Sequence, residues 1–142
     1  MKTYFVDTSY WIARSDPKDQ LHAKATALGR ELGPDIRLVT TELVLVEWLN
    51  WTSKHGAEAR RELVHQILRI EETDDILVVR QDEYMFRSVL MDYGKYADKG
   101  WSFTDCTSFY VMERSNIKDA LTHDRHFEQA GFRALLRTRA KG

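Results

Sequence analysis

Near its start the chain runs Tyr4-Phe5-Val6 and stops at Asp7, with two small hydroxyl residues, Thr8 and Ser9, directly behind it. A strand buried on both faces of a parallel sheet reads as such a continuous run, not as an alternation of apolar and polar residues. In open α/β sheets, ligands bind outside the carboxyl ends of the strands. This short stretch therefore predicts an architecture, and within it a place where an aspartate faces a site. Three later acids, Glu47, Asp105 and Asp124, are candidates to arrive at the same edge.

The rest of the chain alternates helical and strand patterns. A helical turn begins at Tyr10–Ala13, and Asp16-Pro17 marks a restart, since Pro favours the first helical position. A helix is expected from about Lys18 to Leu32, ended by Gly33-Pro34, then a strand over Ile36–Thr40. Thr41 or Thr40 caps a helix running to about Lys54, and Gly56 breaks it before a further helix over Ala57–Glu71. A strand over Ile76–Val79, helices over Asp82–Tyr96 and Phe103–Arg114, a short strand at Ala120-Leu121, a helix over Arg125–Ala130 and a last strand over Phe132–Leu136 complete the pattern. Strands separated by helices indicate a parallel sheet covered on both faces. With 142 residues, no repeat and no linker, one domain over 1–142 is expected.

Composition excludes more than it identifies. No apolar run approaches the roughly 20 residues of a bilayer span, and no secretory pattern opens the chain. The single cysteine, Cys106, cannot close an internal disulfide, which fits a reducing, cytoplasmic setting. The net charge of −1 gives no global sign of nucleic-acid binding, although Arg133, Arg137, Arg139 and Lys141 make the tail locally basic. Such a tail serves equally as a solvated terminus or as a phosphate contact.

Each acid has an ordinary explanation. Asp7 and Asp124 follow strands and stand where helix N-caps stand, and Ser102-x-x-Asp105 has the spacing of a capping box. Glu47 is the most telling, because it sits within Leu43-Val-Leu-Val-Glu-Trp-Leu49 with Leu43 and Val44 on its own face. A carboxylate buried in such surroundings costs several kcal/mol unless compensated; the alternatives are a buried salt bridge or an exposed helix face, and a bound cation is the better account. Acids converging at one edge raise one another's pKa, and a divalent cation relieves the repulsion. Oxygen ligands without an organised His/Cys set point to Mg2+, with Mn2+ able to substitute, and not to Zn2+. His123 and His126 flank Asp124, where surface or structural roles are expected.

At these residues the chain resembles a known family, the PIN-domain nucleases, and in particular the VapC-type toxins of bacterial toxin–antitoxin pairs. The resemblance rests on four ordered pieces that span nearly the whole chain. They are Phe5-Val-Asp7-Thr-Ser-Tyr-Trp-Ile12, Thr40-Thr-Glu-Leu-Val-Leu-Val-Glu47-Trp-Leu49, Trp101-Ser-Phe-Thr-Asp105-Cys-Thr-Ser-Phe109, and Ala120-Leu-Thr-His-Asp124 continuing to Phe132. It implies a three-layer α/β/α fold with a central parallel sheet of about five strands, and an acidic quartet at Asp7, Glu47, Asp105 and Asp124, with Glu42 off the family position. Thr8 matches the hydroxyl residue beside the first acid, and His123 stands where many members carry a smaller residue.

The implied function is Mg2+-dependent hydrolysis of RNA, by a toxin that commonly dimerises and is silenced by a small antitoxin. An acidic pocket repels phosphate, so cations must hold the substrate. Lys99 and Arg125 are candidates, with Arg14, Lys95 and the tail arginines, while Trp11 or Trp101 offers a stacking surface. The rival expectations are a catalytically silent PIN-fold module that binds RNA or protein, and another metal-dependent phosphoesterase. Against the second, Asp7-Thr-Ser9 lacks the Asp-x-Asp of the usual phosphatases. No G-x-G-x-x-G follows a strand, which disfavours a dinucleotide enzyme.

Overall fold

The computed structural model describes residues 1–137. In chain order, β1 (Lys2–Val6) leads to α1 (Thr8–Ser15) and α2 (His22–Leu32), and β2 (Ile36–Thr41) to α3 (Glu42–Thr52) and α4 (Ala57–Glu72). Next come β3 (Ile76–Val79), α5 (Glu83–Lys95), α6 (Phe103–Arg114), β4 (Asp119–Leu121), α7 (Arg125–Gln129) and β5 (Arg133–Ala134). All strand pairs are parallel, in the order β3-β2-β1-β4-β5.

The apolar run at the start takes the central position, with Phe5 in register with Val39 on one side and Ala120 on the other. Successive side chains of a strand point to opposite faces. Phe5 accordingly enters a core with Phe109, Met112 and Phe127, while Val6 enters another with Tyr10, Ala25, Leu121 and Leu136. Both side chains are fully buried, as a central parallel strand demands. The chain builds outward from β1 to β3 and then crosses back to lay β4 on the other side of β1. A crevice opens where strand order reverses, so the carboxyl ends of β1 and β4 mark the expected site.

Several boundaries differ from the sequence reading for local reasons. Tyr10–Ala13 lies in a full two-turn helix, α1. The helix expected from Lys18 begins at His22, because Asp16 and Asp19 accept bonds from the amides of Lys18 (3.0 Å) and Leu21 (2.8 Å) and hold the segment in turns. Pro17 thus belongs to a turn and not to a first helical position. The last strand is confined to Arg133–Ala134 instead of Phe132–Leu136. Thr41, not Thr40, caps α3, its hydroxyl accepting from the Val44 amide at 3.1 Å. Arg139 and Lys141 of the basic tail lie outside the described residues.

Candidate active site

Asp7 follows β1 directly, and its amide still bonds the Leu121 carbonyl of β4 at 3.2 Å. The residue occupies the N-cap position of α1, yet its side chain makes no capping bond to that helix. Instead its Oδ2 accepts from the Thr122 hydroxyl at 2.7 Å. The carboxyl group is buried, and burial pushes its pKa up to about 7. The hydrogen bonds from Thr122 and the Thr8 amide oppose the rise, and the charges of Asp105 and Glu47 add to it.

Glu47 corrects one expectation. Its apolar neighbours suggest a buried carboxylate, but the residue as a whole is exposed. The α3 helix turns Val44, Leu45 and Trp48 inward and leaves Val46 and Leu49 partly in solvent, so Glu47 sits at the rim. Its carboxyl end nevertheless leans on the site, with Oε1 accepting from the Thr8 hydroxyl at 2.5 Å. Loss of water there raises its pKa, the Thr8 bond lowers it, and the charges of Asp105 and Asp124 raise it further. Glu42 lies elsewhere, paired with Arg80 at 3.2 Å.

For Asp105 and Asp124 the ordinary and the functional explanations hold together. Asp105 completes the capping box, since its Oδ2 accepts from the Ser102 amide at 3.2 Å while its own amide donates to the Ser102 hydroxyl at 2.9 Å. Asp124 caps α7 through the His126 amide at 2.9 Å. Caps fix the acids at the first turns of two helices, which is also what aims them at one place. Desolvation raises the Asp105 pKa first and the Asp124 charge second, against hydrogen bonds from Ser102 and His126.

His126 belongs to this group, which the sequence reading did not foresee. Its Nδ1 lies 3.0 Å from Asp105 Oδ2 and 3.4 Å from Asp124 Oδ1. One ligand atom each from Asp105, Asp124 and His126 lie within 4.8 Å of one another. The signal was present as Asp-x-His at a strand end followed by a helix. Sequence inspection also missed Thr122, fully buried, whose oxygen accepts from the Asp124 amide at 3.0 Å and lies 3.2 Å from the Ser9 hydroxyl. Ser9 in turn accepts from the His123 amide at 3.0 Å. Through these bonds Thr122 ties the ends of β1 and β4 together.

A cavity of about 470 Å3 opens at this edge, lined among others by Asp7, Thr8, Ser9, Glu47, His123 and Asp124 but not by Asp105 or His126. Among the described residues, neither Asp7 nor Glu47 is paired with a lysine or arginine. Clustered, partly desolvated carboxylates without a neutralising base fit a hard divalent cation, for which oxygen donors are the preferred ligands. Of the substrate candidates, Thr8 is in the site and Arg125 is exposed beside Asp124 on α7. Lys99 lies apart, in a different cavity.

A PIN-domain family profile matches residues 4–133. The chain belongs to the PIN-domain family. It is similar to the 23S rRNA-specific endonuclease VapC20 of Mycobacterium tuberculosis, in two strains, at 31% identity over 133 residues, which is 90% of this chain and 94% of the relative. Its fold matches the crystal structure of Mycobacterium tuberculosis VapC20, described as a sarcin–ricin loop cleaving toxin, with a TM-score of 0.80 and 26% identity, covering 91% of this chain and 95% of that one. The expected family, its VapC-type branch and the five-stranded parallel α/β fold are thereby borne out.

Proposed function

We propose that residues 1–142 form a single PIN-like domain acting as an endoribonuclease, with Asp7, Glu47, Asp105 and Asp124 holding Mg2+ or Mn2+ and carrying catalysis. The observation that supports this most directly is the convergence of acids from four separated segments with, among the described residues, no lysine or arginine on Asp7 or Glu47. When bound, the cation would make an attacking water more acidic and offset charge on the phosphodiester. The rest falls to the chain's own groups. Thr122 holds Asp7 by one hydrogen bond, and Thr8 holds Glu47 by another. His126 is a positioning residue, keeping Asp105 and Asp124 at a fixed separation through Nδ1. Water replaces the 3′ oxygen on phosphorus, leaving a 5′-phosphate and a 3′-hydroxyl, as the family resemblance implies.

Similarity to VapC20 supports a substrate class, a structured loop of large-subunit ribosomal RNA, and a biological role as the toxin of a toxin–antitoxin pair in the cytoplasm. A small antitoxin and a second copy of the chain are the implied protein partners. The exposed apolar residues Phe86, Leu90 and Met91 of α5 support a protein-covered face. Arg125, exposed beside Asp124, is a phosphate contact in this reading.

The test is cleavage of total ribosomal RNA and of intact ribosomes with Mg2+, with EDTA, and with Asp7→Asn. Discrete new 5′ ends that appear only with wild-type protein and Mg2+ are expected. Identical RNA patterns for wild type and Asp7→Asn would sink the nuclease reading and leave an RNA- or protein-binding module.

A further inference from the structure

Among the described residues, no lysine or arginine lines the acidic cavity. A second cavity, of about 570 Å3, is lined by residues of α5, α6 and the loop that enters α6 and offers what the first lacks. It gathers three residues that the sequence offered only separately, Lys95, Lys99 and Trp101. To these the fold adds Tyr96, Tyr110 and Arg114.

The aromatic groups are held rigidly. Trp101 donates from Nε1 to Gln129 Oε1 at 3.1 Å and packs edge-on against Phe109 with centroids 5.0 Å apart. Tyr96 lies 5.1 Å from the Trp101 ring. Two of the three cations stand over rings. Lys95 Nζ is 5.4 Å from the Tyr96 ring, and the Arg114 guanidinium is 5.2 Å from the Tyr110 ring. Among the described residues none of Lys95, Lys99 and Arg114 is in a salt bridge, and all three are exposed. Asp92 and Glu113 also line the cavity, so its balance is three cations to two acids. The cavity beside Trp51 and His55 differs, because Asp16, Glu58 and Glu62 outnumber Lys18 there.

Fixed aromatic faces interleaved with unpaired cations are the chemistry that binds single-stranded nucleic acid, by base stacking and phosphate contact. The position suits a substrate that also reaches the acids. Asp124 caps α7 and Gln129 ends it, a helix of five residues and therefore about 7.5 Å long. Trp101 immediately precedes Ser102, the capping partner of Asp105. We infer that this cavity is a second RNA subsite, in which an unstacked base of the substrate lies against Trp101 and Tyr96 while adjoining phosphates meet Lys95, Lys99 and Arg114. The inference rests on the reading of the chain as an RNA-cutting enzyme.

The test separates binding from cutting. Binding of a labelled ribosomal RNA stem-loop to the full chain is measured by fluorescence anisotropy in the Asp7→Asn background, at several salt concentrations. Lys95→Glu with Lys99→Glu is expected to weaken binding about tenfold or more and to reduce the log–log salt slope by about 1.4, the value for two lost phosphate contacts to a single strand. Trp101→Leu, which keeps apolar packing but removes the stacking face, is expected to weaken binding about tenfold. Lys24→Glu, equally exposed on α2, should change it less than about twofold. Photo-cross-linking of RNA carrying 4-thiouridine should label the peptide with Tyr96 and Trp101. The subsite is overturned if the lysine reversals match Lys24→Glu, or if cross-links fall only elsewhere. Should Trp101→Leu fail to fold, the lysine variants and the cross-link decide. Cleavage by the wild type is scored independently. Cleavage with unaltered binding sinks only the subsite, whereas weakened binding without any wild-type cleavage supports the subsite and sinks the nuclease reading.

Discussion

β4 opens on one acid and is followed three residues past its end by another, and the two live in opposite surroundings. Asp119 opens the strand, is buried, and accepts from Lys2 Nζ at 2.9 Å and from the Arg133 guanidinium. Burial alone would raise its pKa, but the hydrogen bonds and charges of Arg133 and Lys2 carry it below the ordinary carboxylate range. Past the far end of the strand, Asp124 joins Asp7, Glu47 and Asp105, where among the described residues no lysine or arginine pairs with Asp7 or Glu47 and desolvation pushes Asp7, Glu47 and Asp105 upward. At Asp119 the same kind of side chain is structural, because Lys2 and Arg133 answer it. Exposure differs less between the two ends than partnership does.

Breaking the unanswered end should have the largest effect. Asp7→Asn is expected to lower RNA cleavage about 10³-fold, equivalent to about 4 kcal/mol of transition-state stabilisation, measured as initial rate on a defined RNA. The same substitution should stabilise the metal-free protein. With its pKa near 7 folded and 3.8 as the reference value, Asp7 binds a proton more tightly in the folded state. Stability therefore falls as pH rises from about 4 to about 7, by up to about 4 kcal/mol. Thermal unfolding at pH 8 with EDTA should show Asp7→Asn melting above wild type, a gap that closes near pH 4. Added Mg2+ or Mn2+ should raise the wild-type midpoint and leave the variant unmoved.

A smaller effect is expected from the tie between the two strand ends. Thr122→Val keeps the shape but removes the hydroxyl that donates to Asp7 and accepts from the Asp124 amide. Cleavage should drop about 10- to 100-fold, the usual cost of losing a group that orients a ligand, with the loss read in kcat. The smallest change belongs to the answered end. Asp119→Asn should cost on the order of 1 kcal/mol at pH 7 and leave cleavage unaltered. Because the folded Asp119 pKa is depressed, its stabilisation is present above the unfolded value and lost as pH falls through the folded one. The difference from wild type in denaturant unfolding should accordingly shrink as pH falls below the ordinary carboxylate range. If Asp119→Asn cost cleavage as much as Thr122→Val, the distinction between the two ends would be wrong.

Much of this was legible in the chain because it depends on local pattern. The run Tyr4-Phe5-Val6 announced a doubly buried strand, and Ser102-x-x-Asp105 announced a cap that the structure contains. Reading failed where the outcome depended on what packs across. Glu47 looked buried because its neighbours in sequence are apolar, but a helix has two sides, and only docking against the sheet decided that Val44 and Trp48 face in while Glu47 stands at the rim. His126 looked peripheral because its partner Asp105 is 21 residues away. Thr122 carried no signal of its own, since a lone threonine acquires its role only from the oxygens placed around it.

The amino-acid order by itself determined the element types and a first strand buried on both faces, because periodicity and capping act over a few residues at short range, and the resemblance of its ordered motifs to a family singled out the four acids. Tertiary structure alone decided which acids lack a neutralising base, which histidine joins them, and that Lys95, Lys99 and Trp101 share one cavity while Lys99 stands clear of the acids. Electrostatic partnership is a property of distance in space, and distance is set only when the sheet crosses back from β3 to β4.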